Sequence, residues 1–332
     1  MENIFEKLKN FIPEIKENVS LKSYCTFRIG GSARFLLETG NYEMVIKAIS
    51  FCNENNIPFY IIGGGSNLLI SDKGFDGLVI IYRKKFNEIK ISKECFNKID
   101  DDKYEVNIES AMFLSDAVAQ VSSLGFTGFE WAAGIPGTVA GAINGNAGAF
   151  DGAISDCIID VKALQVFDKK IEIKIIEKNN CNFSYRSSLF KENNEYIIIS
   201  AAFAFKKNNT ENIKNKIQEN IKRRAGKHPK GFSAGSIFKN YEGIIDNKLF
   251  KKYPELEKFQ ERGVVPIGYL VEKCNLKGTR IGDAKISDEH GNFIINLGQA
   301  KSDNILKLIV LVKKEVKSRF GIDIREEIKY LG

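Results

Sequence analysis

The sequence predicts a mixed α/β protein built from more than one subdomain, and three observations support this fold class. The chain has 332 residues, which exceeds one ordinary domain, so two or three subdomains are expected. Segments with apolar residues at helical spacing alternate with short apolar runs typical of strands. Two glycine-rich loops interrupt this pattern, "GGGSN" at 63–67 and "AGIPGTVAGAINGNAGAFDG" at 133–152. The apolar fraction of 43% is sufficient for a real core.

The predicted elements begin with an amphipathic helix at the N-terminus. A helix over 41–56 has Asn41 at its cap position, and strands at 57–62 and 78–82 flank the first glycine loop. A strand at 104–109 and a helix closed by Gly125 precede the second glycine stretch. The remaining elements are a hairpin over 158–176 that turns at 168–170, a strand over 196–205, helices over 211–224 and within 266–278, strands around 281–297, a helix over 302–319 and a last strand over 322–331. The pattern gives no role to residues 241–265.

Composition and charge argue against several classes of function. The net charge of +7 comes from lysines scattered among Asn and Ile, whereas a nucleic-acid interface would cluster basic residues with stacking aromatics. We therefore expect a solvated basic surface, which would still favour an anionic substrate. The six cysteines form no CxxC pair and His228 and His290 are the two histidines, so no metal site is expected. With neither a signal peptide nor a run of about 18 apolar residues, a cytoplasmic protein that does not enter membranes is expected.

The two glycine stretches are the candidate ligand-binding segments of the sequence. Successive N–H groups in glycine-rich turns can bind phosphate, because glycine adopts positive φ and lets a ligand approach. The alternatives are a flexible turn at 63–67 and close helix packing through Gly137, Gly141 and Gly145, which recur every fourth residue. The sequence has no Gly-Lys-Ser/Thr phosphate loop and no GxGxxG opening a long helix. Two such loops with small polar residues favour a long diphosphate ligand, and a flavin dinucleotide would use both.

Six segments together resemble one known family. In order and spacing the chain is similar, nearly end to end, to the UDP-N-acetylenolpyruvoylglucosamine reductase (UDP-N-acetylmuramate dehydrogenase) family. The six segments are "TFRIGG" (26–31), "GGGSNLL" (63–69), "GFEWAAGIPGTVAGAINGNAGAFDG" (128–152), "YRSS" (185–188), "AGSIFKN" (234–240) and "GIDIREEIKYLG" (321–332).

The resemblance implies an α+β fold. It consists of a two-subdomain FAD-binding fold of the vanillyl-alcohol-oxidase/PCMH type, followed by a C-terminal α/β substrate-binding domain. On this pattern the first FAD-binding subdomain is 1–84, joined by the terminal strand 322–332. The second is 85–207, and 208–321 form the substrate-binding domain.

The resemblance also implies an activity. The family reduces UDP-N-acetylglucosamine-enolpyruvate to UDP-N-acetylmuramate for peptidoglycan synthesis. NADPH reduces a non-covalent FAD, hydride passes from flavin N5 to C3 of the substrate, and a proton is added at C2. Only small-molecule partners and a monomeric enzyme are expected. The FAD ligands carried over from the family are Gly63, Gly64, Gly65, Ser66, Asn67, Gly134, Ile135, Pro136, Gly137, Thr138 and Gly141.

Three catalytic residues follow from the same pattern. Arg186 matches the arginine that stabilises the negative charge on the substrate carboxylate, a role suited to a bidentate guanidinium. Ser236 matches the proton donor to C2, and Glu327 matches a glutamate that polarises the enolpyruvyl group. Alternation along a last strand places Glu327 on a polar face and Glu326 on the apolar face, and a one-residue bulge would exchange them.

The resemblance further implies substrate-binding roles for Tyr185, Lys227, Asn240 and Glu272. The chain departs from the family in having Ala140 where glycine is usual and Phe150 where tyrosine is frequent. Two alternatives stay open. Another flavin-dependent oxidase would explain the FAD loops but not Ser236 and Glu327. A basic nucleotide- or nucleic-acid-binding protein would explain only the charge and the glycine loops.

Overall fold

The computed structural model describes residues 4–85, 88–150, 152–226 and 228–332. Its helices are α1 (Ile4–Phe11), α2 (Tyr42–Asn55), α3 (Leu114–Ser123), α4 (Val139–Asn144), α5 (Ile154–Cys157), α6 (Leu189–Glu192), α7 (Thr210–Ala225), α8 (Glu255–Glu261), α9 (Ile267–Lys273) and α10 (Ser302–Phe320). Its strands are β1 (Lys16–Ser20), β2 (Ser32–Thr39), β3 (Phe59–Ile62), β4 (Leu68–Ile70), β5 (Phe75–Tyr82), β6 (Asn97–Lys98), β7 (Lys103–Glu109), β8 (Phe126–Thr127), β9 (Gly148–Ala149), β10 (Gly152–Ala153), β11 (Ile158–Phe167), β12 (Lys170–Glu177), β13 (Tyr196–Lys207), β14 (Arg280–Ile281), β15 (Ala284–Ile286), β16 (Ile294–Asn296) and β17 (Lys329–Leu331). Among these helices, none has the length and apolar character needed to cross a membrane.

The chain divides into two compact units. Unit 1 comprises Met1–Val19, Ala33–Gly64 and Asp76–Gly226, and unit 2 comprises Ser20–Ser32, Gly65–Phe75 and Lys227–Gly332. The first glycine loop therefore passes from unit 1 to unit 2 between Gly64 and Gly65.

Unit 1 contains two sheets. One has the strand order β1-β2-β5-β3, and the other has the order β12-β11-β13-β7-β6 with β8 paired to β13. α1 and α2 pack buried side chains such as Leu8 and Val45 against the first sheet in one apolar core. α3 and α4 contribute to a second core around β7, β11 and β13. The predicted hairpin turns at Asp168 and Lys169, which have φ of 46° and 63°.

Local signals explain where the helices of unit 1 begin and end. The Asn41 side chain accepts a hydrogen bond from the Glu43 N–H at 2.8 Å, which satisfies one of the unpaired donors at the start of α2. Asn56 ends α2 in the left-handed region with φ of 52°. In α7, Asn209 caps the N-terminus through the Glu211 N–H, and Lys222, Arg223 and Arg224 occupy the last turn.

Unit 2 is built around the long helix α10. Its apolar face, which includes Ile305, Leu308, Val312 and Val316, is buried. The antiparallel sheet β14-β15-β16 forms part of the same unit. Strand β17 pairs in parallel with β4, with Tyr330 opposite Leu69, so the end of the chain lies beside the residues that follow the first glycine loop.

One predicted element is wrong in its extent. The sequence predicts a strand over 322–331, but only Lys329–Leu331 forms one. Residues before it are held by an isolated bridge between Phe238 and Glu326, while Ile322 and Ile324 are buried. A continuous ladder requires a neighbouring strand along its whole length, and here the neighbour changes from the 237–239 segment to β4.

Candidate functional site

In unit 1 the two glycine stretches touch each other directly. A Cβ at Gly64 would lie 2.5 Å from the Gly137 Cα, and a Cβ at Gly63 would collide with the Thr138 hydroxyl. Gly137 itself has φ of 116°, a conformation that side chains disfavour. The absence of side chains in these two segments is therefore first a condition for their backbones to pack together.

The start of α4 offers a bare surface beyond this contact. Thr138 caps the helix, and its side chain accepts from the Gly141 N–H at 3.3 Å. Gly141 is exposed, and a Cβ built there would meet nothing closer than the Thr138 hydroxyl at 3.7 Å. The neighbouring Ala140 packs its methyl against the core of unit 1. The departure from the usual glycine at 140 thus fills the core and leaves the Gly141 face clear.

In unit 2 the glycine loop continues at Gly65. Its φ is 62°, and a Cβ there would collide with the Tyr24 carbonyl oxygen. The Gly65 carbonyl accepts from the Thr26 N–H at 3.1 Å, which joins the loop to the "TFRIGG" segment. The Thr26 hydroxyl is buried without a hydrogen-bond partner among the described residues. A buried hydroxyl in this state fits a ligand oxygen beside the loop.

Arg186 lies at the tip of a tight turn in unit 1. Ser184 and Ser187 exchange two backbone hydrogen bonds of 3.1 Å around it, and Arg186 has φ of 54°. Its Nη1 donates to the Gly148 carbonyl at 2.9 Å. Two asparagines of the glycine stretch secure this turn: Asn146 Nδ2 donates to the Ser184 carbonyl at 3.0 Å, and the Asn144 carbonyl accepts from the Ser188 hydroxyl at 2.7 Å.

Sequence reasoning missed these asparagines and also missed Arg224. The Arg224 Nε donates to the Ala133 carbonyl at 3.2 Å, and its guanidinium lies 5.3 Å from the centre of the Phe150 ring. Burial, and then the nearby charge of Arg186, lower the pKa of Arg224. Its Nη2 is buried and makes no hydrogen bond within the described part of the chain. Two guanidinium groups therefore lie close together beside the glycine stretch. Arg224 is one of several basic residues at the end of a Lys/Asn-rich helix, so the sequence does not distinguish it as a site residue.

In unit 2, Ser236 and Glu327 belong to neighbouring segments. The Glu327 N–H donates to the Ile237 carbonyl at 2.7 Å, directly after Ser236. The Glu327 carbonyl in turn accepts from Asn67 Nδ2 at 3.0 Å, and the Asn67 carbonyl accepts from the Lys329 N–H at 3.0 Å. The end of the glycine loop, the glutamate segment and the serine segment thus lie side by side.

Glu326 has a different environment. Its carboxylate is paired with Lys313 at 2.9 Å and is exposed, so it does not lie on a buried apolar face as alternation along a strand predicts. Glu327 is half-buried. This arrangement makes Glu327 the stronger candidate of the two for chemistry.

The second group of predicted residues is dispersed. In unit 2, Asn240 Oδ1 accepts from the Ile267 N–H at 3.2 Å at the start of α9, and Glu272 is paired with Lys277 at 3.3 Å. In unit 1, Tyr185 is exposed and lies 5.6 Å from the Arg186 guanidinium. Lys227 lies outside the described residues. Residues 241–265, to which the sequence pattern assigns no role, contain a 3-10 turn at Asn247–Leu249 and helix α8.

Comparisons with known proteins bear on both parts of the chain. Residues 33–168 match the FAD binding domain family, and residues 227–331 match the C-terminal domain of UDP-N-acetylenolpyruvoylglucosamine reductase. The chain is 35% identical over 333 residues to the UDP-N-acetylenolpyruvoylglucosamine reductase of Clostridium novyi (strain NT), covering 99% of this chain and 97% of the relative. It is 36% identical over 323 residues to that of Clostridium kluyveri, covering 97% and 94%.

A solved structure is also similar. It is the UDP-N-acetylenolpyruvylglucosamine reductase from Thermus caldophilus, with a TM-score of 0.69 and 28% identity over 95% of this chain and 98% of that one.

These findings confirm the predicted fold class, an α+β FAD-binding fold with a C-terminal α/β domain. The match to the FAD binding domain covers β2 to β11, and so includes both stretches of bare backbone in unit 1. The bare surface at Gly141 lies within this match. The chain belongs to the UDP-N-acetylenolpyruvoylglucosamine reductase family of FAD-dependent oxidoreductases.

Proposed function

We propose that this protein uses NADPH and non-covalent FAD to reduce UDP-N-acetylglucosamine-enolpyruvate to UDP-N-acetylmuramate, a precursor of peptidoglycan. The proposal is supported by full-length similarity to reductases of that name. The structural observation that carries it is the adjacency of Asn67, Glu327 and the Ser236 segment in unit 2. Main-chain and amide hydrogen bonds thereby join a loop predicted to bind the cofactor to the two segments that carry the predicted catalytic residues.

FAD is held by the two glycine segments in this proposal. Gly63 to Asn67 bind the pyrophosphate, and Gly134 to Thr138 together with Gly141 line the ribityl chain and the ring. When bound, FAD supplies the hydride that NADPH provides and that C3 of the enolpyruvyl group receives. The Thr26 hydroxyl, which lacks a partner among the described residues, joins this set as a donor to a cofactor oxygen.

Arg186 stabilises the charge that develops on the substrate carboxylate. Addition of hydride at C3 leaves an electron pair at C2 that is delocalised into the carboxylate, so negative charge increases there as the reaction proceeds. A fixed guanidinium lowers the energy of that state more than the energy of the ground state. The tight turn between Ser184 and Ser187, tied to Asn146, keeps the guanidinium in place without reorganisation.

Ser236 donates its proton to C2, and Glu327 polarises the enolpyruvyl group. A serine hydroxyl is a weak acid in water, but the C2 centre is a strong base, so the transfer runs downhill. Glu327 is tied through its backbone to Ile237, the residue after the serine. We assign Tyr185, Lys227, Asn240 and Glu272 to substrate or NADPH binding. Because Asn240 Oδ1 is occupied by the Ile267 N–H, its role depends on the Nδ2 donor.

Two experiments test the proposal. The purified protein should be yellow and should bleach with NADPH, and a protein that takes up no FAD would contradict the flavoenzyme assignment. UDP-N-acetylglucosamine-enolpyruvate should then reoxidise the reduced flavin rapidly in stopped flow. If another acceptor reoxidises it and this substrate does not, the chain has a different activity.

The serine assignment has its own measurement. Ser236→Ala should retain flavin reduction by NADPH and lose the second half-reaction by several orders of magnitude, because only the second step needs the C2 proton. Equal losses in both half-reactions would show that the serine has another role. Ser233→Ala, three residues earlier and also half-buried, is a matched control that should leave both steps unchanged.

A further inference from the structure

The segment that carries Ser236 is held from two sides within unit 2. On one side it pairs with residues 325–327, through the Lys239 N–H to the Arg325 carbonyl at 2.9 Å and the Glu327 N–H to the Ile237 carbonyl at 2.7 Å. Directly before Ser236, Gly235 has φ of 77°, and a Cβ added there would meet no atom within 4 Å. Glycine is conformationally permissive, so the position of Ser236 depends on the contacts of Ser236 and of the residues that follow it.

On the other side Ser236 forms an antiparallel bridge with Phe293, and the side chain of Asn292 extends this contact beyond the serine. The Asn292 Oδ1 accepts from the Phe238 N–H at 3.0 Å, and its Nδ2 donates to the Phe238 carbonyl at 2.8 Å. Its own carbonyl accepts from the Ile237 N–H at 2.9 Å. Asn292 and Phe238 are 3% and 2% exposed, so water cannot replace these bonds. The asparagine amide thus continues at Phe238 the pairing that the main chain makes at Ser236.

Asn292 is itself fixed by packing against α9. Its N–H donates to His290 Nδ1 at 3.1 Å. The His290 ring lies over Gly268, where a Cβ would be 2.9 Å from the ring. A Cβ at Gly291 would lie 2.7 Å from the Gly268 carbonyl oxygen, so this turn requires glycine on both contacting surfaces. The clamp on Phe238 is therefore connected to α9 through these contacts.

We propose that Asn292 is the positioning residue for the Ser236 hydroxyl, acting through Phe238 and Ile237. This inference rests on the proposed role of Ser236 as the proton donor. Only asparagine offers one donor and one acceptor at this length: aspartate lacks the donor, and glutamine is one methylene longer. Loss of the clamp leaves the Phe238 N–H and C=O buried without their partner, and the segment relieves this by rotating at Gly235. Displacement of a reacting group by about 1 Å reduces a rate by roughly 100-fold.

Stopped-flow measurement of the two half-reactions tests this role. In Asn292→Ala, flavin reduction by NADPH should stay within about twofold of wild type, while reoxidation by the enolpyruvyl substrate falls roughly 100-fold. Asn292→Asp keeps the size of the side chain and its acceptor, so its reoxidation rate should fall less. This variant tests the proposal if Asn292→Ala does not fold.

The matched control is Asn296→Ala. Asn296 is 4% exposed and makes three side-chain hydrogen bonds, to the Phe27 carbonyl and from the Gly298 and Ala300 N–H groups. The Asn296→Ala variant should lose about as much thermal stability as Asn292→Ala. Its flavin-bound fraction should nevertheless be reoxidised by the substrate at the wild-type rate.

The double variant Ser236→Ala/Asn292→Ala separates positioning from a general structural effect. If Asn292 acts through the serine, the double variant should reoxidise no more slowly than Ser236→Ala alone. A further 100-fold loss in the double variant would overturn the proposal, as would an Asn292→Ala rate equal to that of Asn296→Ala. If Ser236→Ala itself reoxidises at the wild-type rate, the proposed function of the serine fails, and the positioning role fails with it.

Discussion

Alanine substitutions at Gly64 and Gly141 distinguish a glycine needed for packing within the chain from a glycine that we assign to cofactor binding. At Gly64 an added Cβ would lie 2.5 Å from the Gly137 Cα, so two backbone segments would have to separate by about 1 Å. Neither segment can rotate a side chain away, and overpacking of this kind costs about 1–3 kcal/mol. Gly64→Ala should therefore lower the melting temperature of the FAD-free protein by several degrees, at about 2–4 °C per kcal/mol.

Gly141→Ala is the matched control and should have the opposite effect on stability. Its nearest neighbour would be the Thr138 hydroxyl at 3.7 Å, an ordinary contact, and its position within α4 favours alanine by about 0.5–1 kcal/mol. The FAD-free variant should melt at or above the wild-type temperature. Because the new methyl occupies the exposed face that we assign to FAD, affinity should fall about 10- to 100-fold, equivalent to about 1.4–2.8 kcal/mol.

Thermal unfolding of the FAD-free proteins and titration of FAD by flavin fluorescence give both quantities. Full FAD affinity in Gly141→Ala would refute the assignment of that face to the cofactor. A wild-type melting temperature in Gly64→Ala would refute the backbone contact between the two glycine segments. The two results are independent, since one concerns the chain alone and the other its ligand.

Other predictions concern stability and thiol chemistry. Asp72 accepts hydrogen bonds from the Ser302 N–H at 2.7 Å and the Ser302 hydroxyl at 2.8 Å at the start of α10. Asp72→Ala should therefore lower the free energy of unfolding in urea by about 1–3 kcal/mol. Asp76→Ala, which removes an exposed ion pair with Arg34, should lower it by less than about 1 kcal/mol. Burial raises the pKa of Cys52 to about 12, and burial followed by the charge of Asp160 raises that of Cys181 to about 12. Cys95 is exposed, so a thiol reagent at pH 8 should modify it first in the native protein, and rapid modification of Cys52 would contradict the packing. The unfolded thiols ionise near pH 9 while these native ones do not, so stability should fall as pH rises above 9, by about 1.4 kcal/mol per thiol and pH unit.

Features that depend on neighbouring residues in the chain could be predicted from the sequence. Helices α2, α3 and α10 carry their periodicity locally, α2 also carries its Asn41 cap, and the hairpin turn at 168–169 follows from two strands on either side of it. The two glycine stretches could also be recognised from the sequence as candidate binding segments. Glycine within a helix or strand lowers stability, so a concentration of glycines indicates a specific requirement. The serine and glutamate candidates came from the resemblance, and alternation alone would have placed Glu326 on a buried face that it does not occupy.

Features that depend on distant partners could not be predicted. Asn292 bonds to Phe238, 54 residues away, and Asn146 bonds to Ser184, 38 residues away. An asparagine in a turn has many structural uses, and its sequence neighbours do not reveal which backbone it will hold. The last strand is shorter than predicted for the same reason: alternation of side chains describes a strand's faces, but the length of a ladder depends on its neighbours.

The glycine stretch at 133–152 shows how internal packing and ligand binding can be told apart. Gly137 touches Gly64, and a Cβ at Gly152 would lie 2.5 Å from the Trp131 ring, so the fold itself excludes side chains at both positions. Gly141 and Gly145 are different, because an added Cβ would meet no atom of the described chain closer than 3.6 Å. These two are four residues apart, and therefore share one face of α4 and its C-cap. Neither packing nor a positive φ requires glycine at Gly141 and Gly145, so the face they share is open to a partner outside the chain. The FAD hypothesis for this stretch therefore rests on that face more than on the number of glycines.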